Sequence, residues 1–144
     1  MSNVQDLIRT FESSKIPYEV VVCEDSNDLR SVMDSIAGFG RTYLVLSETS
    51  ELIGLRLDIF PMRIYLRKAQ KIARTLNQIH SCLKGLVTLQ ALDISFDVHT
   101  SLPDWLQNLT NLQRLNVSRN RLTELPDWLQ NLTNLQSFNV SSAV

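Results

Sequence analysis

The sequence predicts an α/β protein whose C-terminal part is a stack of short parallel strands. Three observations predict this class: an exact internal duplication, alternating apolar residues in each copy, and an amphipathic helix before the first copy. The segment LPDWLQNLTNLQ occurs at residues 102–113 and again at 125–136, an offset of 23 residues. A fixed period of this size is typical of repeat architectures, in which each unit buries its apolar face against its neighbours.

Alignment of the copies places apolar residues at four equivalent positions. These positions are Leu86/Leu109/Leu132, Leu89/Leu112/Leu135, Leu92/Leu115/Phe138 and Ile94/Val117/Val140. Their alternation predicts one strand in each copy, with the strands of successive copies parallel. The apolar side chains are expected to share one core, and the residues between them are expected to line a concave face.

The segment LQRLNVSRNRL, residues 112–122, resembles the leucine-rich-repeat pattern LxxLxLxxNxL at each fixed position. The flanking LPDWLQNLTNL is similar to the LPxxLxxL half of intracellular repeats. This resemblance covers residues 79–144 and implies a short leucine-rich-repeat solenoid that binds a protein or peptide. It also implies that the Asn120 side chain hydrogen-bonds turn backbone between coils, whereas Asp97 and Ala143 occupy the equivalent positions.

Trp105 and Trp128 occur once in each copy, after Pro103 and Pro126. We expect both rings to cover the edge of the core on the convex side. The alternative is that they are exposed anchors for a partner; packing is the favoured interpretation.

The first 61 residues are predicted to form a small α/β domain of no recognised family. The apolar patterns predict a helix over 3–14, a strand over 16–23, a helix after Ser26, and strands over 42–47 and 52–60 joined as a hairpin. Gly38 or Gly40 is expected to end the second helix.

Residues 62–85 are predicted to form an amphipathic helix that caps the repeats, which occupy residues 86–144. One apolar seam contains Tyr65, Ala69, Ile72, Leu76, Ile79 and Leu83. Five bases lie largely away from it: Arg63, Arg67, Lys68, Lys71 and Arg74. A basic face can contact phosphates or anionic lipid, but a solvated face, or pairing with the acidic N-terminal part, is favoured. Neither nucleic acid, through residues 63–74, nor a membrane is therefore predicted as a partner.

Composition and charge favour a globular protein located in the cytoplasm. The net charge is −1, but residues 1–58 carry ten acids and five bases, whereas residues 59–92 carry six bases and no acid. No apolar run approaches the roughly 20 residues of a membrane span, and no signal peptide is recognised. Cys23 and Cys82 are expected to be reduced thiols.

No motif predicts catalysis, and neither a metal nor a cofactor is expected. The GFG segment at residues 38–40 lacks the spacing of a phosphate-binding loop, and His80 and His99 have no partners at metal-ligand spacing. The acidic residues Glu19, Glu24, Asp25 and Asp28 are interpreted as a solvated face rather than a cation site.

The predicted function is therefore non-catalytic protein–protein interaction through the concave face. The candidate partner-binding residues are Asp93, Phe96, Arg114, Asn116, Arg119 and Asn139. Arg114 and Arg119 are favoured because a guanidinium makes directional contacts with carboxylates.

Two alternatives stay open. The N-terminal domain can be a small enzymatic or ligand-binding domain with the repeats as an appendage, or the chain can be a shortened relative of leucine-rich-repeat GTPase signalling proteins. Because the third copy covers only residues 132–144 and lacks a capping motif, self-association through its uncovered strand is also expected.

Overall fold

A computed structural model describes residues 3–36, 41–58, 69–94 and 101–140. Within these residues the α-helices are α1 (Asn3–Ser13), α2 (Leu29–Ile36) and α3 (Ala69–Leu83). The strands are β1 (Tyr18–Cys23), β2 (Thr42–Ser47), β3 (Leu52–Arg56), β4 (Ala91–Asp93), β5 (Arg114–Asn116) and β6 (Ser137–Asn139). Short 3-10 helices span Ser26–Asp28, Asp104–Asn108 and Asp127–Asn131. The architecture is mixed α/β, as predicted.

The strands form one six-stranded sheet in the order β1-β2-β3-β4-β5-β6. Four of the strand pairs are parallel: β1–β2, β3–β4, β4–β5 and β5–β6. The register of the last three pairs aligns Leu55, Leu92, Leu115 and Phe138 across the sheet. Equivalent repeat positions are therefore neighbours, which is the arrangement that the 23-residue period predicts.

The antiparallel pair β2–β3 is the predicted hairpin. Ser50 takes the left-handed conformation with φ 67°, and the Ser47 amide donates a hydrogen bond to the Glu51 carbonyl at 2.8 Å. The register shifts between Val45 and Leu46, so β3 carries an additional residue at this point. A bulge of this kind bends a strand locally.

The two faces of the sheet carry different helices. Helices α1 and α3 contact each other and pack on the face that buries Leu44, Leu55, Leu92 and Leu115 in the larger core. Helix α2 packs on the opposite face, where a smaller core contains Cys23, Leu29, Met33, Val45, Ile53 and Ala91. We call this second face the groove face.

The handedness of the connections explains this division. Parallel strands joined through a helix make right-handed crossovers almost without exception. The β2–β3 hairpin reverses the strand direction, while the chain continues across the sheet in the same sense. The crossover from β3 to β4 therefore belongs on the face opposite to the crossover from β1 to β2, and α3 and α2 are separated accordingly.

The predicted capping helix, 62–85, is described from Ala69 onward as α3. Its seam residues Ile79 and Leu83 are fully buried, and Leu76 packs against the larger core. Of the five predicted bases, Arg74 is exposed; Arg63, Arg67 and Lys68 lie outside the described residues, as do Tyr65, Gly38 and Gly40. None of the helices in the described ranges is long and apolar enough to cross a membrane.

The predicted domain boundary at residue 61 also lies outside the described residues. On either side of it, β3 pairs with β4, and the larger core contains residues from α1 through to the repeats. The division into residues 1–61, 62–85 and 86–144 stays a prediction.

Two repeat-specific predictions are confirmed. The Asn120 amide donates to the carbonyl of Val117 at 2.9 Å and, in the neighbouring unit, to that of Ile94 at 3.0 Å. Trp105 and Trp128 are partly buried against the larger core, and the Trp105 ring centroid lies 5.6 Å from that of His80. Asp97 and Ala143 lie outside the described residues.

Candidate functional site

The groove face carries a polar row in which one residue from each of four strands is aligned by the register: Arg56, Asp93, Asn116 and Asn139. Side chains alternate across a strand, so this row follows from the core positions on the other face. Three of the predicted partner-binding residues, Asp93, Asn116 and Asn139, therefore lie side by side.

The buried end of this row is an ion pair. The Arg56 Nε lies 3.8 Å from Asp93 Oδ2, and both side chains are at least nine-tenths buried. The Arg56 Nη1 donates to the Arg41 carbonyl at 2.9 Å. Removing one partner of a buried pair leaves an uncompensated charge, which is strongly destabilising. Asp93 therefore stabilises the sheet by compensating the buried charge of Arg56.

Asn116 is also engaged by its own repeat. Its Oδ1 accepts hydrogen bonds from the Ser118 amide at 3.0 Å and the Ser118 hydroxyl at 2.7 Å. Its Nδ2 lies 3.4 Å from Asp93 Oδ2. Asn139, one strand further along, is exposed. The row thus changes from buried and charged at β3 to open and neutral at β6.

Arg114 connects the repeats to helix α2. Its Nη2 donates to Asp34 Oδ1 at 2.9 Å, although the two residues are 80 positions apart in the chain. The Arg114 side chain is 27% exposed and that of Asp34 is 61% exposed. An exposed pair of this kind contributes about 0.2–1 kcal/mol, so another carboxylate can replace Asp34 at low cost.

Two cavities are lined jointly by residues of α2, or of the turn before it, and by residues of the repeats, and we call them together the groove. The larger has a volume of about 540 Å³ and is lined by Asn27, Leu29, Arg30, Gln90, Gln113, Arg114, Gln136 and Ser137. The smaller, of about 250 Å³, is lined by Met33, Asp34, Ala91, Leu92, Asp93, Arg114, Leu115, Asn116, Ser137 and Asn139. Arg114 and Ser137 line both, so they mark the centre of the groove.

Gly54 explains how α2 approaches the sheet closely enough to form this groove. A Cβ atom at residue 54 would lie 3.0 Å from the Met33 sulfur, 3.2 Å from Val45 Cβ and 3.3 Å from Leu29 Cδ1. Its register neighbour on β4 is Ala91, the smallest residue with a side chain. Two small residues therefore provide the surface against which α2 is seated.

The two favoured arginines are not brought together in the groove. Arg119 lies beyond β5 in the left-handed conformation, with φ 59°. It is exposed and is not among the residues that line either cavity. Phe96, the remaining candidate, lies outside the described residues.

Several residues that line the groove were not predicted from the sequence: Asp34, Arg30 and the three glutamines Gln90, Gln113 and Gln136. The glutamines had a signal, because each follows the same leucine in its copy at an interval of 23 residues. Asp34 and Arg30 had none, since nothing local to α2 reveals which strands it covers.

Both cysteines are free thiols, as expected, and they belong to opposite faces of the sheet. Burial raises the pKa of Cys23, with a further contribution from the nearby Asp28 carboxylate. Burial also raises the pKa of Cys82. A raised pKa keeps a thiol protonated and poorly nucleophilic at neutral pH. Within the described ranges, no group of three or more potential metal ligands is found.

Comparison with known families matches only the repeats. A family model described as leucine rich repeat matches residues 88–142, which include β4, β5 and β6. No curated protein and no solved structure matches the chain. Proteins of this family generally mediate protein–protein interaction and are typically non-enzymatic. The chain therefore carries leucine-rich repeats over residues 88–142, and the identification made from LQRLNVSRNRL is confirmed.

Proposed function

We propose that this protein is a non-catalytic interaction module that binds a protein or peptide in the groove. The observation that carries the proposal is the position of Arg114 between two cavities, where it pairs with the exposed carboxylate of Asp34. In this proposal, the groove face acts as the concave face that we predicted from the repeats. Asn139 and Ser137, both exposed, provide the open end of the site.

The other predicted site residues have different roles in this proposal. Asp93 and Asn116 shape the floor of the groove, because their polar atoms are already engaged within the sheet. Arg119, if it contacts the partner, does so from outside the two cavities. In this proposal, Arg114 and the exposed residues of β6 therefore make the contacts with the partner.

A steric block of the groove tests the proposal. Ser137 is exposed and lines both cavities, so Ser137→Trp is expected to abolish capture of partner proteins from a native lysate, measured by quantitative mass spectrometry. Ser81→Trp is the matched control, because Ser81 is exposed on α3, on the other face of the sheet. The same set of captured proteins with both variants would contradict the proposal.

We also propose self-association through β6. This strand forms an outer edge of the described sheet, and Leu135, Phe138 and Val140 are only partly buried. Unpaired edges and incompletely covered apolar residues favour pairing with another chain. Light scattering is expected to give a mass that rises with protein concentration. A mass of one chain at every concentration would count against this surface.

A further inference from the structure

The larger cavity is lined by two basic residues, and the one carboxylate described next to them, Asp34, lines the adjoining smaller cavity and pairs with Arg114. Arg30 and Arg114 line it, and no acidic residue is among its described lining residues. Arg30 is exposed on α2, and no ion pair to it is present within the described part of the chain. Two guanidinium groups on opposite walls are complementary to an acidic occupant, because each can bind a carboxylate through two parallel hydrogen bonds.

The floor of the same cavity carries a glutamine row formed by Gln90, Gln113 and Gln136. Their backbones are linked in series: the Gln113 amide donates to the Gln90 carbonyl, and the Gln136 amide donates to the Gln113 carbonyl, each at 2.7 Å. No hydrogen bond to any of the three side-chain amides is present among the described residues. Each amide can therefore both donate to and accept from a ligand.

The spacing of the glutamine row fits an extended peptide. Neighbouring strands lie about 4.8 Å apart, so three strands span roughly 10 Å, which corresponds to about three residues of extended chain. Main-chain amide and carbonyl groups alternate along such a segment. An array of side-chain amides can satisfy them without any contribution from the ligand's own side chains.

The ion pair between Asp34 and Arg114 is an example, within the protein, of a carboxylate bound to this arginine. The Asp34 carboxylate lies 2.9 Å from the Arg114 Nη2 and is itself 61% exposed, so it can leave Arg114 without being buried elsewhere. Its position on α2 makes it an internal competitor for any ligand carboxylate that approaches Arg114.

We infer that the groove takes an extended acidic segment of a partner protein. Its carboxylates bind Arg30 and Arg114, its backbone binds the glutamine row, and Asp34 is displaced from Arg114 as it enters. This inference rests on the proposed function and specifies the chemistry of the partner. A peptide is favoured over a nucleic acid because no described lining residue of the larger cavity is aromatic, whereas single-stranded nucleic acids are bound largely by stacking on aromatic rings.

The test uses a random heptapeptide library displayed on phage and selected on the full-length protein. Enriched peptides are expected to carry aspartate or glutamate. A fluorescein-labelled copy of the most enriched peptide then gives affinities by anisotropy. Arg114→Ala is expected to weaken binding by about tenfold, and Arg30→Ala, at an exposed position, by about two- to fivefold. Asp34→Asn is expected to strengthen it by about two- to fivefold, the range that a half-exposed ion pair supports.

Arg121→Ala is the matched control, because Arg121 is exposed in the same repeat and lines neither cavity. Enrichment without acidic residues, equal losses with Arg121→Ala and Arg114→Ala, or no gain with Asp34→Asn would overturn the inference. So would a selection that yields no peptide above background, or displacement of the peptide by a single-stranded oligonucleotide at lower concentration. If capture remains sensitive to Ser137→Trp in any of these cases, the proposed function stands and only the acidic specificity fails.

Discussion

Replacing Asn120 by alanine is expected to lower the free energy of unfolding by about 2–4 kcal/mol, because two buried carbonyl groups lose their donor. These are the carbonyls of Ile94 and Val117, at 3.0 Å and 2.9 Å from Asn120 Nδ2. The first lies in one repeat unit and the second in the next, so the side chain joins two units. Urea denaturation monitored by tryptophan fluorescence measures the change.

Asn134→Ala is the matched control for this prediction. Its Nδ2 also donates to a backbone carbonyl of the preceding repeat, that of Thr110 at 2.7 Å, but the bond is exposed. Water can replace the lost donor there, so the expected loss is at most about 1 kcal/mol. Equal losses for the two variants would show that burial does not set the cost of the Asn120 bonds.

Asn120→Asp separates the donor role from the shape of the side chain. An aspartate of the same size directs carboxylate oxygens toward carbonyl oxygens, so folding raises its pKa above the unfolded value. The folded variant then binds more protons than the unfolded chain, and its stability deficit relative to the wild type shrinks as the pH falls. A deficit that is unchanged between pH 7 and pH 4 would contradict the donor interpretation.

Replacing Gly54 by valine is expected to displace α2 from the sheet and to cost about 1–3 kcal/mol, the usual range for overpacking. The Cβ atom of the new side chain alone would lie within 3.3 Å of atoms of Met33, Val45 and Leu29. Two further methyl groups leave these neighbours no room to adjust. Since Leu29 and Met33 are the buried residues of α2, the helix loses its contact with β3.

Hydrogen exchange measures where the Gly54→Val effect falls. The amides of α2 are expected to lose protection, while those of β5 keep it, because β5 is held by β4 and β6. Gly54→Ala is the graded control and is expected to have a smaller effect, since the flexible Met33 side chain can move. Uniform loss of protection over the whole sheet would contradict a local displacement of α2.

The sequence predicted the elements that depend on short-range patterns. The β2–β3 hairpin, the helix α1 and the alignment of Leu92 with Leu115 all follow from periodicity and turn residues. The role of Asn120 was implied by the resemblance of its repeat to the leucine-rich-repeat pattern. Each of these features is determined within one unit or between neighbouring units of the chain.

The position of α2 could not be predicted, and with it the form of the site. An amphipathic helix with Leu29 and Met33 on one side fits either face of a sheet. The face of the sheet on which α2 packs depends on the strand order and on the directions of β2 and β3, because right-handed crossovers place each helix on one particular side. We therefore expected a concave face lined by repeat residues, whereas the Asp34 side chain of α2 reaches Arg114 across it.

Because the repeat strands are aligned in register, the length of the groove depends on the number of repeat copies. Each 23-residue copy contributes one strand and one glutamine of the glutamine row. Tandem duplication of one copy would lengthen the sheet by about 4.8 Å and add one amide to the floor. The ion pair between Asp34 and Arg114 would keep its position if the copy were added after β6, because Arg114 belongs to β5. Under the proposed function, the number of copies would set the length of the bound peptide segment, and α2 would set which end of that segment is anchored.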